Sequence, residues 1–113
     1  MFKLVSVEKS KKEGKKYEAI FEDKENYKIK TINFGAEGYR DYTLISSKKS
    51  KFYIENKEER EKVKENYLKR HAKDLLTEKA KTGMSAGALS IYLLWNKPTL
   101  SASIKQYKRL FNL

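Results

Sequence analysis

The side chains that could do chemistry fall in three places. The first is Gly35 to Leu44 (GAEGYRDYTL), where Tyr39, Arg40, Asp41 and Tyr42 set two phenols, a guanidinium and a carboxylate side by side. Gly35 and Gly38 permit positive φ or close approach of the backbone to a neighbour. Two readings fit this stretch. It is a surface loop presenting Arg40 and the tyrosines to a ligand, or a connection in which Asp41 bonds nearby backbone or pairs with Arg40. The glycine spacing is no dinucleotide fingerprint, because the third glycine is missing and no helix is predicted to follow. A Gly-x-x-Gly RNA clamp needs a helix on each side, and here the preceding segment reads as strand.

The second place is Lys69, Arg70, His71 and Lys73, near the end of a predicted helix. These cations could contact phosphate, or they could complement the negative end of the helix dipole. His71 is the only imidazole in the chain. No Ser, Cys or Asp stands where sequence position would identify it as a catalytic partner, so His71 reads as a surface or salt-bridging residue. A nuclease would have to use Asp41, Glu37 and His71, and nothing in their spacing shows convergence. The third place is the C-terminal stretch, which carries Lys97, Lys105, Lys108 and Arg109 and has no Asp or Glu after Glu78. The reading is of no catalytic residues, no cofactor and no metal site.

Composition narrows the partners. With Lys+Arg at 26 and Asp+Glu at 15, the net charge is +11, which calls for an anionic partner or a Lys-rich solubilising surface. The absence of Cys rules out disulfides, thiolate zinc sites and Cys nucleophiles. No apolar run approaches the length of a membrane span, and no signal peptide is visible, so an intracellular setting is expected. At 113 residues the chain reads as a single domain, 1–113, mainly β over 1–55 and mainly α over 56–113.

The elements that must position these groups follow from periodicity. Phe2 to Val7, Lys16 to Glu22 and Tyr27 to Phe34 read as an antiparallel meander, since the loops between them are too short for parallel crossovers. In the first strand, Phe2 and Leu4 are predicted on one side and Lys3, Val5 and Val7 on the other. Tyr42 to Ile45 and Phe52 to Ile54 are candidates for further short strands. Asn56 is predicted to cap a charged helix, with Glu59 as its capping-box partner and Val63, Tyr67, Leu68 and Leu75 as a thin apolar stripe. Thr77 to Gly83 reads as a polar connection. Ser85 is predicted to cap a central helix running to about Trp95, and Thr99 a last helix after Pro98. The last helix has its apolar face at Leu100, Ile104, Tyr107 and Phe111. The fold class is α+β: an N-terminal antiparallel sheet of three to five strands, a charged helix and a C-terminal helical pair. That pair shares the outline of helix-turn-helix DNA readers, but Asn96-Lys97-Pro98-Thr99 lacks the usual glycine turn.

Three segments together carry a resemblance: F-G-A-x-G-Y-x-D-Y-T (Phe34 to Thr43), A-G-A-L-S (Ala86 to Ser90) and L-W-N-K-P-T-L-x-x-S-I-x-x-Y-K-x-x-F (Leu94 to Phe111). In this order they resemble a family of small basic proteins encoded by nucleocytoplasmic large DNA viruses. The Lys/Glu-rich helical region between the motifs is longer than the family pattern. The resemblance implies a viral origin and a place in the virion, or in the host-cell cytoplasm at the virus factory. It carries no catalytic residues.

The functional expectation joins these lines. It is a non-enzymatic basic viral protein that binds nucleic acid, DNA rather than RNA, through phosphate contacts in genome packaging. The expected contacts are Arg40, Lys69, Arg70, Lys73, Lys97, Lys105, Lys108 and Arg109. The alternative is a minor capsid or assembly protein that binds acidic surfaces of capsid proteins, for which the many tyrosines are suited.

Overall fold

The computed structural model describes all of residues 1–113. Three strands, β1 (Phe2–Lys9), β2 (Lys15–Asp23) and β3 (Ile29–Ala36), form an antiparallel sheet in the order β1-β2-β3. Tyr17, Ala19 and Phe21 of β2 lie opposite Phe34, Ile32 and Lys30 of β3. In β1 the pairing shifts between Leu4 and Ser6, so that Leu4 faces Phe21 and Val7 faces Ala19. This bulge corrects the simple alternation expected for β1. One extra residue reverses the pleat, Val5 is left exposed, and Val7 turns to the core side with Leu4.

The two further strands expected from sequence do not form. Tyr42–Ile45 is a single helical turn, α1, because Asp41 caps it: Leu44 N donates to Asp41 Oδ1 at 3.1 Å. The β-forming side chains of Tyr42, Thr43 and Ile45 are overridden by that cap and by burial of Tyr42 and Ile45. Phe52 to Ile54 is irregular, tied down by Ile54 N donating to Ile45 O at 3.0 Å.

Helix α2 (Lys57–His71) begins at the expected cap, with Glu59 N donating to Asn56 Oδ1 at 3.0 Å, but the Glu59 side chain makes no return bond to Asn56 N, so the capping box is not closed. None of its residues is fully buried. It is held by Val63, Tyr67 and Leu68 against the core and by Arg60, which donates to Ile54 O at 2.6 Å and Glu55 O at 3.0 Å. A 3-10 turn, Ala72–Leu75, follows it. The stretch read as a polar connection contains another helical turn, α3 (Glu78–Lys81), capped by Thr77, with Ala80 buried beneath it.

The central helix starts at α4 (Ala86–Leu89), capped by Ser85, and widens into a π-helical segment, Ser90–Leu94. The extra residue per turn lets Ile91, Leu93, Leu94 and Trp95 all reach the interior, more than one α-helical stripe could supply. β3 meets this segment at Gly35. The Gly35 φ is +79°, and a Cβ there would lie 2.8 Å from Leu94 Cδ1, so both the left-handed backbone and the close approach disfavour a side chain. Helix α5 (Leu100–Phe111) is capped by Thr99. Its Tyr107 is fully buried and donates to Gly83 O at 2.7 Å, while Leu100, Ile104 and Phe111 pack around the same core. Leu4, Ala19, Phe21 and Phe34 of the sheet and Leu89, Leu93, Leu94, Trp95 and Tyr107 of the helices make one apolar cluster. No helix is long and apolar enough to cross a membrane.

Candidate functional site

The loop after β3 and the inner face of α2 close around a cleft of about 430 Å³. Its floor is the Asp41 carboxylate. Asp41 was expected to serve backbone or to pair with Arg40; its charged partner is Lys16, Nζ to Oδ2 at 2.6 Å, and both side chains are withdrawn from solvent. The other oxygen accepts from Leu44 N and from the Thr43 hydroxyl. The carboxylate is therefore charge-compensated by Lys16 and held by three hydrogen bonds, two on Oδ1 and one on Oδ2. It joins β2 to the loop and starts α1.

One wall of the cleft is a stack of three rings. Tyr67 lies between Trp95, at 4.2 Å and 9°, and His71, at 4.2 Å and 24°. Burial holds the Tyr67 hydroxyl above its ordinary range, with Asp74 adding to the effect, so it stays protonated as a neutral polar group. His71 finds a partner that its sequence position did not reveal: its Nδ1 lies 2.9 Å from Asp74 Oδ2, across the start of the 3-10 turn. An Asp–His pair is two members of a hydrolytic relay. Ser90 also lines the cleft, and no hydroxyl is hydrogen-bonded to His71. The three carboxylate and imidazole groups considered for a nuclease do not converge on a metal: no group of three such side chains in the molecule is placed to hold one.

The rim is cationic. Arg40 arrives from the loop and Arg70 from the last turn of α2, and both are exposed. Among the 26 Lys and Arg, only Lys3, Lys11, Lys16, Lys69 and Lys81 enter an ion pair. Lys69, one of the expected contacts, is thus engaged with Glu65 on the helix surface at 3.0 Å. Arg40, Arg70, Lys73, Lys97, Lys105, Lys108 and Arg109 have no acidic partner. They do not form one site. Arg40 and Arg70 share the cleft; Lys69 lies in the last turn of α2 and Lys73 in the 3-10 turn after it; Lys97 sits in the turn before α5, and Lys105, Lys108 and Arg109 are exposed along α5.

The turn before α5 is held from both sides. Lys97 N donates to Ser103 Oγ at 3.0 Å, Asn96 pairs with Gln106, and Lys64 of α2 donates to Asn96 O at 2.7 Å. This rigid turn carries Lys97 outward. Sequence reasoning missed Lys16, Asn66, Tyr67 and Trp95 as cleft residues. The spacing of Tyr67 and His71, one helical turn apart, was a usable signal; the Lys16–Asp41 pair spans 25 positions and left none.

A family model described as a family of unknown function (DUF5754) matches residues 5–53. The match takes in most of the sheet, the Gly35 to Leu44 loop and α1, and stops before α2. No curated protein and no solved structure matches the chain.

Proposed function

We propose that this chain is a non-enzymatic, virus-encoded basic protein that binds nucleic acid, DNA in preference to RNA, through phosphate contacts in genome packaging. The observation that carries the reading is the set of cations without intramolecular partners: Arg40, Arg70, Lys73, Lys97, Lys105, Lys108 and Arg109 form no salt bridge, in a chain of net charge +11. Phosphodiester backbone offers such a surface the charge that the protein does not supply to itself. Lysines on an exposed helix face position a backbone and do not read bases, so binding is weakly dependent on sequence. The resemblance of the three sequence motifs to proteins of large DNA viruses supports the viral setting.

The test is an anisotropy titration of duplex DNA and of RNA at low salt, with the triple change Lys105→Ala, Lys108→Ala and Arg109→Ala as control. Binding that the triple variant weakens is expected, and no binding by the parent protein would remove the reading. A second reading, a minor capsid or assembly protein that binds acidic protein surfaces, draws on the exposed rings of Tyr27 and Tyr39, at 72% and 70% accessibility. It requires the protein to stay with the capsid shell when the genome is released, whereas a packaging protein leaves with the DNA.

A further inference from the structure

The cleft is more specialised than a phosphate-binding surface needs to be. Arg40 and Arg70 come from separate elements, yet both line one concavity. The only carboxylate in its lining, Asp41, is already neutralised by Lys16 at 2.6 Å. The nearby Asp74 is engaged with His71. Two cations are thus left facing one hollow with nothing of opposite sign in it. A guanidinium presents a planar fork matched to phosphate oxygens, and two of them match a dianion better than the single charge of a phosphodiester. The remaining lining fits a planar, hydrogen-bonding group. The Tyr39 ring is 70% exposed beside Arg40, and the Asn66 amide and Ser90 hydroxyl make no side-chain hydrogen bonds of their own. The volume of about 430 Å³ lies in the range of small-ligand pockets. A π-helical segment supplies Ser90 and Leu94, a distortion frequent at binding sites.

We infer that this cleft holds the terminal nucleotide of a nucleic-acid strand that ends in a phosphate monoester, with Arg40 and Arg70 gripping the monoester and Tyr39 stacking on the base. Aromatic rings bind bases with little regard to identity, so the site reads the end and not the sequence. The assignment deepens the proposed function and rests on it: the cations of α5 hold the strand in general, and the cleft holds its end.

The experiment is anisotropy of one short single-stranded oligonucleotide prepared with a 5′-phosphate, with a 3′-phosphate and with hydroxyls at both ends, at fixed salt. One phosphorylated form is expected to bind about tenfold or more tightly than the hydroxyl form, as charge-assisted contacts of this kind warrant. Arg40→Lys and Arg70→Lys keep the charge and remove the fork. They are expected to abolish the preference, weakening the phosphorylated form much more than the hydroxyl form, and Tyr39→Leu to reduce it. These residues are exposed, and circular dichroism is the check that the variants fold. Equal binding of all three ends, or no binding of any of them, overturns the inference; the proposed function falls only if duplex DNA and RNA are not bound either. Adenosine monophosphate bound as tightly as the phosphorylated strand would assign the cleft to a free nucleotide and overturn the strand-end assignment.

Discussion

Single residues carry several of the constraints that matter here. Gly35 combines positive φ with a gap too narrow for a Cβ beside Leu94. Gly35→Ala is expected to destabilise the protein by about 2 kcal/mol in urea unfolding, from left-handed backbone and crowding together. Lys16 neutralises a buried carboxylate, and Lys16→Met leaves Asp41 charged and partly unsatisfied. A loss of about 3 kcal/mol follows, whereas the double change Lys16→Met, Asp41→Asn is expected to recover much of it. Tyr42, buried and donating to Glu61, has its pKa pushed up to about 12 from 10.0, first by desolvation and then by that carboxylate. Burial raises the Tyr107 pKa as well. The folded protein therefore keeps phenolic protons that the unfolded chain releases above pH 10, and stability falls as pH rises through the interval from 10 to about 12. Thermal unfolding across that interval should show the fall, with a shallower slope in Tyr107→Phe. That variant also loses the hydrogen bond to Gly83 O, a difference of about 1 kcal/mol at neutral pH.

At the scale of elements, what the sequence disclosed was what local chemistry decides. The caps at Asn56, Ser85 and Thr99 are written in one residue each and act within three positions, and all of them accept the expected backbone N–H. The apolar face of α5 follows from its spacing alone. Thr99→Ala is expected to destabilise the protein by about 1 kcal/mol, measured by denaturant unfolding. The errors have equally physical sources. Tyr42 to Ile45 has strand-like composition, but the Asp41 cap turns it into a helix; the β1 bulge moves Val7 to the core by inserting a residue that no alternation pattern marks. The candidate site was only partly legible for a related reason. Arg40 and Arg70 stood out as cations, but their meeting depends on packing α2 over the loop after β3. That packing rests on Tyr42 donating to Glu61 and on Lys64 lying over the Tyr42 ring at 4.7 Å, while Tyr67 against Trp95 fixes α2 to the central helix; all are contacts between distant segments.

At the scale of the molecule, the sheet and helices share one apolar cluster, and the charge is carried outside it. Nucleic acid held by that exterior should respond to salt in proportion to the phosphates neutralised. The most direct measurement is the dissociation constant for a duplex DNA at a series of salt concentrations. With six or more of the unpaired cations engaged, affinity is predicted to fall about a thousandfold between about 50 and about 200 mM salt. The slope should flatten by about one unit for each contact removed among Lys105, Lys108 and Arg109. Affinity that does not change with salt, or a slope unmoved by those substitutions, would contradict the account.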